Sequence, residues 1–493
     1  SLLAVGLTAL GYYYYWWFGT DRIWFLVALP ILPWTLTQLV GDWFLYLASG
    51  RPQCPLPAGD SRPTVDVFVT ACREPYALIE RSLRAACAMK GMHTTWLLDD
   101  GKDAALERLA RSLGAGYLVR DDRRDAKAGN INAALARTDA DIVAIFDADH
   151  APTPDFLERT IGYFRDPQVG FVQVMLTFCN GGESWVASAG EESSRDFYNP
   201  TATGADRLGG ATLVGSNALI RREALASCGG YRPGLAEDLA TSVALHAAGW
   251  ESVYVGEPLA PGFSPPDLGA WFTQQLKWAR GVFEVLLTDY ARLFRRLTWG
   301  QRLSYAVRMT HYWIGLVVGF HLVITAIVLL FPRAALVDDF ESYLTHLVPL
   351  AVATLLIRQV ALRVRRHPAV PATAFMGAMT LVYATWPVYA IAWMMSLLRW
   401  QLGFRLTPKA PTRTTSTGGW LAVQVSTVLL LGAGLVHFLF FARGLNHPLI
   451  TCFAIVQGIP PVLLLWLTAC RSSRRRYESG HTGHEALAQP SSI

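Results

Sequence analysis

Two pairs of aspartates follow short apolar runs that are rich in β-branched residues. Asp99 and Asp100 follow the run TTWLL, and Asp147 and Asp149 follow the run DIVAIF. Both runs are predicted strands, and the carboxyl ends of parallel strands share one edge of a sheet, where ligands bind. Carboxylates that meet there repel each other unless a divalent cation lies between them, and oxygen ligands suit Mg²⁺ or Mn²⁺ carrying a nucleotide diphosphate. The spacing therefore predicts a metal and diphosphate site at this edge of the sheet.

Two other segments carry polar residues suited to a nucleotide. Thr70 and Glu74 follow a third predicted strand, VDVFVT, where a loop at the sheet edge could hold a base and a ribose. Lys127 opens a predicted helix with the sequence KAGN, and a lysine beside free N–H groups at a helix start suits phosphate. Taken singly, Lys127 is equally well explained as a solvated lysine, and Glu74 as a helix-start residue before Pro75.

A third acidic pair lies at the start of a predicted helix. Glu237 and Asp238 precede the helical run LATSVALHAAG, so the helix dipole favours the ionised form of Asp238. An ionised carboxylate can accept the proton of a hydroxyl group. The alternative is that both acids are there only because carboxylates stabilise a first helical turn.

The run TQQLKWARG places three functional side chains on one helix face. Gln274, Lys277 and Trp278 stand at positions i, i+3 and i+4. An indole ring can stack on the apolar face of a sugar, and amide or ammonium groups beside it can bind hydroxyl or phosphate oxygens. A tryptophan near a membrane is often only an interfacial anchor, but the polar neighbours on its face favour sugar binding.

The elements that must position these residues form one soluble region between apolar flanks. The strands at 65–70, 94–98 and 141–146 alternate with helical stretches, which predicts a mainly parallel α/β sheet in a domain spanning residues 60–270.

The whole chain has 493 residues, 52% hydrophobic and only 16% charged, which indicates a membrane protein. The net charge of +5 comes mostly from arginines and lysines beside apolar segments. Such residues set the orientation of membrane segments, so we expect no nucleic-acid partner. Seven cysteines without a C-x-x-C pair fit a reducing cytoplasmic domain without structural zinc.

Six apolar segments are long enough to cross about 30 Å of hydrocarbon. The apolar segment 370–398 is a separate case, because basic residues flank it on both sides and should keep both ends in the cytoplasm. We expect it to be an interfacial or re-entrant helix bent near Pro387. The predicted regions are an N-terminal hairpin at 1–50 (spans 1–18 and 23–48), interfacial helices at 271–309, a hairpin at 310–363 (spans 310–331 and 343–362), the interfacial or re-entrant helix at 370–400, a loop at 401–416, a hairpin at 419–470 (spans 419–441 and 447–469) and a cytoplasmic tail at 471–493.

Taken in order, these motifs resemble those of the processive family 2 glycosyltransferases, most closely the bacterial cellulose synthase catalytic subunit. The resemblance runs from about residue 64 to 415 and includes FRLTPK, at 404–409, which is similar to the family's F-x-V-T-x-K gating loop. It implies an α/β GT-A domain inserted in an α-helical transmembrane channel domain. It also implies that Asp147 and Asp149 hold the metal and the diphosphate, and that Asp238, beside Glu237, is the catalytic base of an inverting transfer. The remaining implied roles are nucleotide-sugar binding by Thr70, Glu74, Asp99, Asp100, Lys127, Asp147, Gln274 and Lys277, acceptor binding by Trp278, Phe178, Asn180 and His150, and gating by Phe404, Thr407 and Lys409.

Departures from the family pattern bear on the substrate. Ala236 replaces the threonine of the T-E-D motif, and Lys277 replaces the arginine of Q-x-x-R-W, which removes a bidentate diphosphate contact. Residues 174–176 are VML where cellulose synthases usually have T-P after the glutamine. We expect polymerisation of UDP-glucose into a β-glucan. Open alternatives are a chitin or hyaluronan type synthase, a lipid-acceptor transferase and a non-enzymatic channel or sensor.

The expected partners are a UDP-sugar donor, the growing polysaccharide and the lipid bilayer of a bacterial plasma membrane, with the catalytic domain in the cytoplasm. The sequence leaves an accessory export subunit and the oligomeric state open. Residues 471–493 are too few for a cyclic di-GMP-binding PilZ domain, so we expect no direct response to that dinucleotide.

Overall fold

A computed structural model describes residues 2–20, 26, 29–50, 63–331, 340–364, 372–400, 417–441 and 448–485. The predicted gating loop at 401–416, with Phe404, Thr407 and Lys409, lies outside these residues.

The central element of the described chain is a seven-stranded sheet with the strand order β3-β2-β1-β4-β7-β5-β8. Strand β7 runs antiparallel to β4 and β5, and every other pair in this sheet is parallel. The prediction of a mainly parallel sheet is therefore confirmed. Its strands are β1 (Val65–Ala71), β2 (Thr94–Asp99), β3 (Gly116–Leu118), β4 (Ile142–Asp147), β5 (Val169–Val174), β7 (Ala218–Arg221) and β8 (Glu251–Val255), and a separate two-stranded sheet pairs β6 (Thr177–Phe178) with β9 (Pro261–Gly262).

Helices cover both faces of the sheet, which explains why β1 is buried at every position. Along this strand Val67 and Val69 pack into one apolar core, while Phe68 packs into a second core on the opposite face. The helices of this region are α3 (Tyr76–Cys87), α4 (Ala104–Ser112), α5 (Ala126–Leu135), α6 (Phe156–Thr160), α7 (Trp185–Asp196), α8 (Ala202–Arg207), α9 (Arg222–Ser227) and α10 (Glu237–Ala247).

The helices outside the sheet domain lie on both sides of it in the chain. Two precede it, α1 (Leu2–Thr20) and α2 (Leu32–Ala48). Those that follow are α11 (Leu268–Val285), α12 (Ala291–Leu293), α13 (Trp299–Thr310), α14 (Ile314–Leu330), α15 (Phe340–Val364), α16 (Ala372–Ala384), α17 (Trp386–Leu397), α18 (Gly418–Phe441) and α19 (Pro448–Glu485).

Five helical segments among the described residues are long and apolar enough to cross a membrane, which indicates a membrane protein. They are Trp299–Leu330, Phe340–Arg363, Phe375–Leu397, Gly418–Phe440 and Pro448–Cys470. Helices α1 and α2 are not among them. The N-terminal membrane hairpin therefore stays a prediction.

The segment that was expected to be interfacial, 370–398, has the composition of a span. It is also the best covered by protein of the five, with 56% of its apolar window buried against at most 39% in the others. It divides into α16 and α17 at Thr385, two residues before Pro387, close to the predicted bend. Length and composition do not fix its path, so the interfacial placement stays a prediction.

Helix α2 is attached closely to α13, far along the chain. A Cβ added to Gly41 would lie 2.3 Å from Val307 Cγ2, so only glycine allows this approach. Gln38 Nε2 donates to Val307 O and to Thr310 Oγ1, both at 2.8 Å, and Trp34 Nε1 donates to Thr310 O at 2.9 Å. The two helices thus pack with both apolar contacts and polar bonds.

Candidate active site

The carboxyl ends of β2, β1 and β4 meet at one edge of the sheet, as the sequence predicted. Thr70 lies opposite Asp147 in the strand register, and Ala71 lies opposite Asp99. Thr70 Oγ1 is 3.4 Å from Asp147 Oδ1 and 3.3 Å from Phe146 O. Strands β1 and β4 therefore bring their polar residues into contact.

Asp147, Asp149 and His150 form a cluster directly after β4. One ligand atom from each of the three lies within 4.8 Å of the others. The backbone turns sharply here, since His150 N donates to Asp147 O at 3.0 Å. Phe263 N donates a hydrogen bond to Asp149 Oδ2 at 3.2 Å. Two carboxylates and an imidazole form a donor set that suits a divalent cation, so these residues fit the predicted metal site.

Lys127 faces this cluster from the first turn of α5. Its Nζ donates to Asp147 Oδ1 at 2.5 Å and to Gly215 O. Burial alone would lower the pKa of Lys127, but the carboxylates of Asp147 and Glu237 outweigh it and raise the pKa. In the same way, burial opposes the ionisation of Asp147, yet the nearby Lys127 ammonium leaves its pKa lowered. The pair is therefore held as an ammonium and a carboxylate.

A loop at residues 212–216 forms hydrogen bonds to Asp147 and Lys127. The sequence analysis did not single out this loop. Ser216 Oγ accepts a hydrogen bond from Asp147 N at 2.9 Å, and Gly215 offers its carbonyl to Lys127. Gln173 braces the loop, because its Nε2 donates to Ser216 O at 2.8 Å and its Oε1 accepts from Val214 N at 2.9 Å. The only local signal in the sequence is the turn-forming tripeptide GSN before β7.

The same loop is also bonded to helices α13 and α10. Arg308 of α13 donates through Nη1 to Thr212 Oγ1 and to Leu213 O, the latter at 3.1 Å. Leu213 N donates to Ser242 Oγ at 2.8 Å, and Ser242 Oγ donates to Asp238 O at 2.9 Å. The loop therefore connects α13, the Asp147 region and the helix that carries Asp238.

Glu237 and Asp238 occupy the first turn of α10, across Gly215 from Lys127. Gly215 has a φ of +91°, and a Cβ on it would lie 3.6 Å from Asp238 Oδ2 and 4.0 Å from Lys127 Nζ. Burial and the neighbouring Asp238 carboxylate raise the pKa of Glu237 to about 7, although Lys127 and Lys277 oppose this. The structure thus places Asp238 close to the Lys127 and Asp147 pair, with a glycine keeping the intervening space open.

Helix α11 carries the predicted donor and acceptor residues beside this space. Gln274 is buried, Lys277 is half-buried with its ammonium near enough to affect Glu237, and Trp278 keeps 39% of its surface exposed. The helix is fixed to the apolar segment that follows it, because Tyr389 OH donates to Gln275 Oε1 at 2.8 Å and Trp271 Nε1 donates to Thr385 Oγ1 at 2.9 Å.

Asp99 and Asp100, two other residues predicted to bind the nucleotide, form hydrogen bonds and an ion pair within the protein. The Asp99 carboxylate accepts from Gly101 N at 2.6 Å, and also from Asp103 N and Tyr117 OH. Asp100 forms a buried bidentate pair with Arg120, with both contacts at 2.8 Å. These contacts organise the loop after β2, so nucleotide binding by these carboxylates stays a prediction.

Several remaining predicted residues also have structural partners. Glu74 Oε2 accepts from Cys72 N at 2.5 Å, and burial raises the Glu74 pKa. Asn180 exchanges two hydrogen bonds with the Ser264 backbone, and Phe178 lies in β6 opposite Gly262. Their donor and acceptor roles stay predictions.

A parallel sheet with an Asp-x-Asp cluster at its carboxyl edge, a lysine beside it and a candidate base across a glycine defines the class: a GT-A glycosyltransferase domain joined to apolar helices. The fold agrees with that of a mannosyltransferase from Pyrobaculum calidifontis, solved with GDP-Man and Mn²⁺, which covers 81% of this chain and all of that chain with a TM-score of 0.53 and 18% identity.

Residues 63–281 match the model of the glycosyltransferase like family 2, and residues 227–366 match that of cellulose synthase. Over residues 63–366 the chain is therefore similar to the family 2 glycosyltransferases and to cellulose synthases. It is 35% identical over 265 residues to the UDP-forming cellulose synthase catalytic subunit of Pseudomonas fluorescens, covering 52% of this chain and 36% of that protein. It is 32% identical over 336 residues to the corresponding subunit of Xanthomonas axonopodis, covering 64% of this chain and 46% of that protein. The matches thus span less than half the length of these relatives.

Proposed function

We propose that the protein is a processive, inverting glycosyltransferase that polymerises UDP-glucose into a β-glucan and moves the polymer through its apolar helices. The observation that carries this proposal is the arrangement around Gly215. Lys127 and Asp147 lie on one side of this glycine and Asp238 lies on the other, at distances suited to a donor diphosphate and an acceptor hydroxyl.

The chemistry follows from these two sides. Asp147 and Asp149 would hold a Mg²⁺ or Mn²⁺ ion, which when bound supplies positive charge to the donor diphosphate. Lys127 adds a fixed ammonium beside the same phosphates. Asp238 accepts the proton of the acceptor hydroxyl while the hydroxyl oxygen bonds to the anomeric carbon. The bond between that carbon and the UDP oxygen breaks, and UDP leaves. Attack opposite the leaving group inverts the anomeric configuration, which gives a β linkage from an α-linked donor.

UDP-glucose is proposed as the donor because the matched relatives are named UDP-forming cellulose synthases. Lys277 stands where those enzymes' motif has an arginine, so the diphosphate would be bound by a point charge in place of a planar fork. This difference concerns affinity and specificity for the donor and leaves the reaction type unchanged.

Movement of the polymer is proposed because α11 connects the site to the apolar segments. Trp278 on α11 offers an exposed indole for stacking on a sugar ring, and Trp271 and Gln275 of the same helix bond to Thr385 and Tyr389. A chain leaving the site along this helix would reach the helices that can cross a membrane.

The donor is tested by incubating purified membranes with radiolabelled UDP-glucose, UDP-N-acetylglucosamine or UDP-glucuronic acid and measuring insoluble label. We expect incorporation from UDP-glucose, and digestion by linkage-specific β-glucanases identifies the linkage. Membranes containing Asp238→Asn protein at the same level are the control. Incorporation from UDP-N-acetylglucosamine without incorporation from UDP-glucose would overturn the proposed donor.

A further inference from the structure

His150 is a buried polar residue whose ring has no hydrogen-bonding role within the described chain. The residue is only 4% exposed, and neither Nδ1 nor Nε2 has a hydrogen-bond partner among the described residues. Buried imidazole nitrogens are normally paired, since burial without a partner costs their hydration. An unpaired buried histidine next to two carboxylates therefore requires an explanation.

The position of the imidazole ring is fixed by backbone hydrogen bonds and by packing, and not by hydrogen bonds to its nitrogens. Ser82 Oγ donates to His150 O, and His150 N donates to Asp147 O at 3.0 Å, so the backbone is fixed on both sides. Gly262 of β9 makes room for the ring, because a Cβ there would lie 2.5 Å from His150 Nε2. The structure thus fixes the imidazole while leaving its nitrogens available.

The distance from the ring to Asp149 suits two ligands of one ion. His150 Nδ1 lies 3.7 Å from Asp149 Oδ1, which is too long for a hydrogen bond. Ligand atoms about 2.1 Å from an octahedral ion are about 3 Å apart when adjacent and about 4.2 Å apart when opposite. The 3.7 Å separation is no greater than that between opposite ligands, so one ion can reach both atoms, and the Asp147 carboxylate completes a group within 4.8 Å.

We propose that His150 is the third protein ligand, through Nδ1, of the divalent cation held by Asp147 and Asp149. The inference rests on the proposed function only in requiring that a cation binds. Nitrogen ligands favour transition metals over Mg²⁺, so His150 would make the site prefer Mn²⁺. The family resemblance assigns His150 to the acceptor, and the experiment below separates the two roles.

The test is pulsed electron paramagnetic resonance on tag-free, detergent-purified protein loaded with Mn²⁺ and UDP. A coordinated imidazole produces electron spin echo modulation from ¹⁴N, so we expect it in the wild type. His150→Ala and His150→Gln should lose the modulation, and Gln retains a side-chain oxygen in case Ala disturbs folding. His93→Ala is the matched control, because His93 is half-buried and bonds only to Gly91 O and Ala86 O among the described residues.

A titration of free Mn²⁺ by the same method provides the second measurement. We expect His150→Ala to weaken Mn²⁺ binding at least about tenfold, and to weaken Mg²⁺ binding, measured by competition, less. Bound Mn²⁺ without nitrogen modulation in the wild type would overturn the role of His150 while leaving the two-carboxylate site intact. Nitrogen modulation that persists in His150→Ala would also overturn it. Wild-type protein that binds no Mn²⁺ would overturn both this inference and the cation in the proposed function.

Discussion

Asp238 and Glu237 are neighbours in the first turn of α10, but their surroundings differ. Asp238 Oδ2 lies near Gly215, on the open side facing Lys127, and its Oδ1 accepts from Leu239 N at 2.7 Å. Burial beside Asp238 raises the pKa of Glu237 to about 7. Asp238 is therefore the acid of the pair with a carboxylate oxygen beside the open space at Gly215.

Asp238→Asn should abolish polymer synthesis while leaving UDP binding nearly intact, because the proposed base acts on the acceptor hydroxyl. Loss of a positioned base typically costs roughly 10²- to 10⁴-fold in rate. Asp149→Asn, the comparison variant, should weaken both the rate and the metal-dependent affinity for UDP. Turnover and UDP binding by calorimetry measure the two effects. If Asp238 only favours the helix start, Asn preserves that role and a near wild-type rate would remove Asp238 from the mechanism.

Glu237→Gln should stabilise the protein increasingly as the pH rises. The pKa of Glu237 is about 7 in the folded protein against its usual 4.5, so the folded state holds this proton more tightly than the unfolded chain. Stability therefore falls as the pH rises from about 4.5 through 7, and Gln removes this dependence. The difference in Tm between variant and wild type should be near zero at pH 5 and grow to on the order of a few degrees by pH 8. A constant difference would contradict the raised pKa.

At the scale of elements, α13 and the loop at 212–216 act together. Arg308 of α13 donates hydrogen bonds to the loop, and the loop bonds to Lys127 and to the Asp147 backbone on its other side. Arg308 touches none of the proposed reacting atoms, so it is a positioning residue.

Arg308→Gln should lower kcat by about tenfold or more with little change in the KM for donor, because small misplacements of reacting groups are costly. Arg308→Lys should recover part of kcat by keeping a donor to Thr212. Arg302→Gln is the control on the same helix, since its contacts are to Phe294 O and Arg295 O, away from the loop. Steady-state kinetics measure kcat and KM for each variant. An equal loss of kcat in the Gln and Lys variants, with a lowered Tm in both, would indicate a purely structural role for Arg308.

The α16 and α17 segment should lie in or dip into the cytoplasmic leaflet without crossing, because basic residues flank both ends. In a cysteine-free background, single cysteines at His367 and Gln401 should both react only with a reagent applied from the cytoplasmic side. A cysteine at Asp338, in a predicted outer loop, is the control for the opposite side. Opposite accessibility of the two test positions would mean that the segment crosses the membrane.

At the scale of the whole molecule, local sequence patterns predicted the strands and the acidic cluster. The strands are apolar runs with sharp polar ends, so β1, β2 and β4 lie within a residue of their predicted positions. The Asp147 and Asp149 site follows from that placement. Parallel packing then brings Thr70 next to Asp147, which could be expected once the sheet was recognised.

The contacts that sequence reasoning missed are between residues far apart in the chain. Arg308 and Thr212 meet because helix α13 folds back over the catalytic domain, and neither position has a local pattern that marks it. Arg120, which forms an ion pair with Asp100, lies in an irregular segment after β3. Such pairings depend on tertiary packing, which hydrophobic periodicity does not encode.

The attachment of α2 to α13 has a consequence for how the molecule is made. Residues 49–298 separate the two helices, so at about 5–20 residues per second the ribosome needs roughly 12–50 s to deliver the partner of α2. Throughout that interval Gln38 and Trp34 lack the α13 acceptors they use in the finished protein. Helix α2 must therefore remain without these partners while the whole intervening domain is synthesised, a period in which a chaperone has time to act.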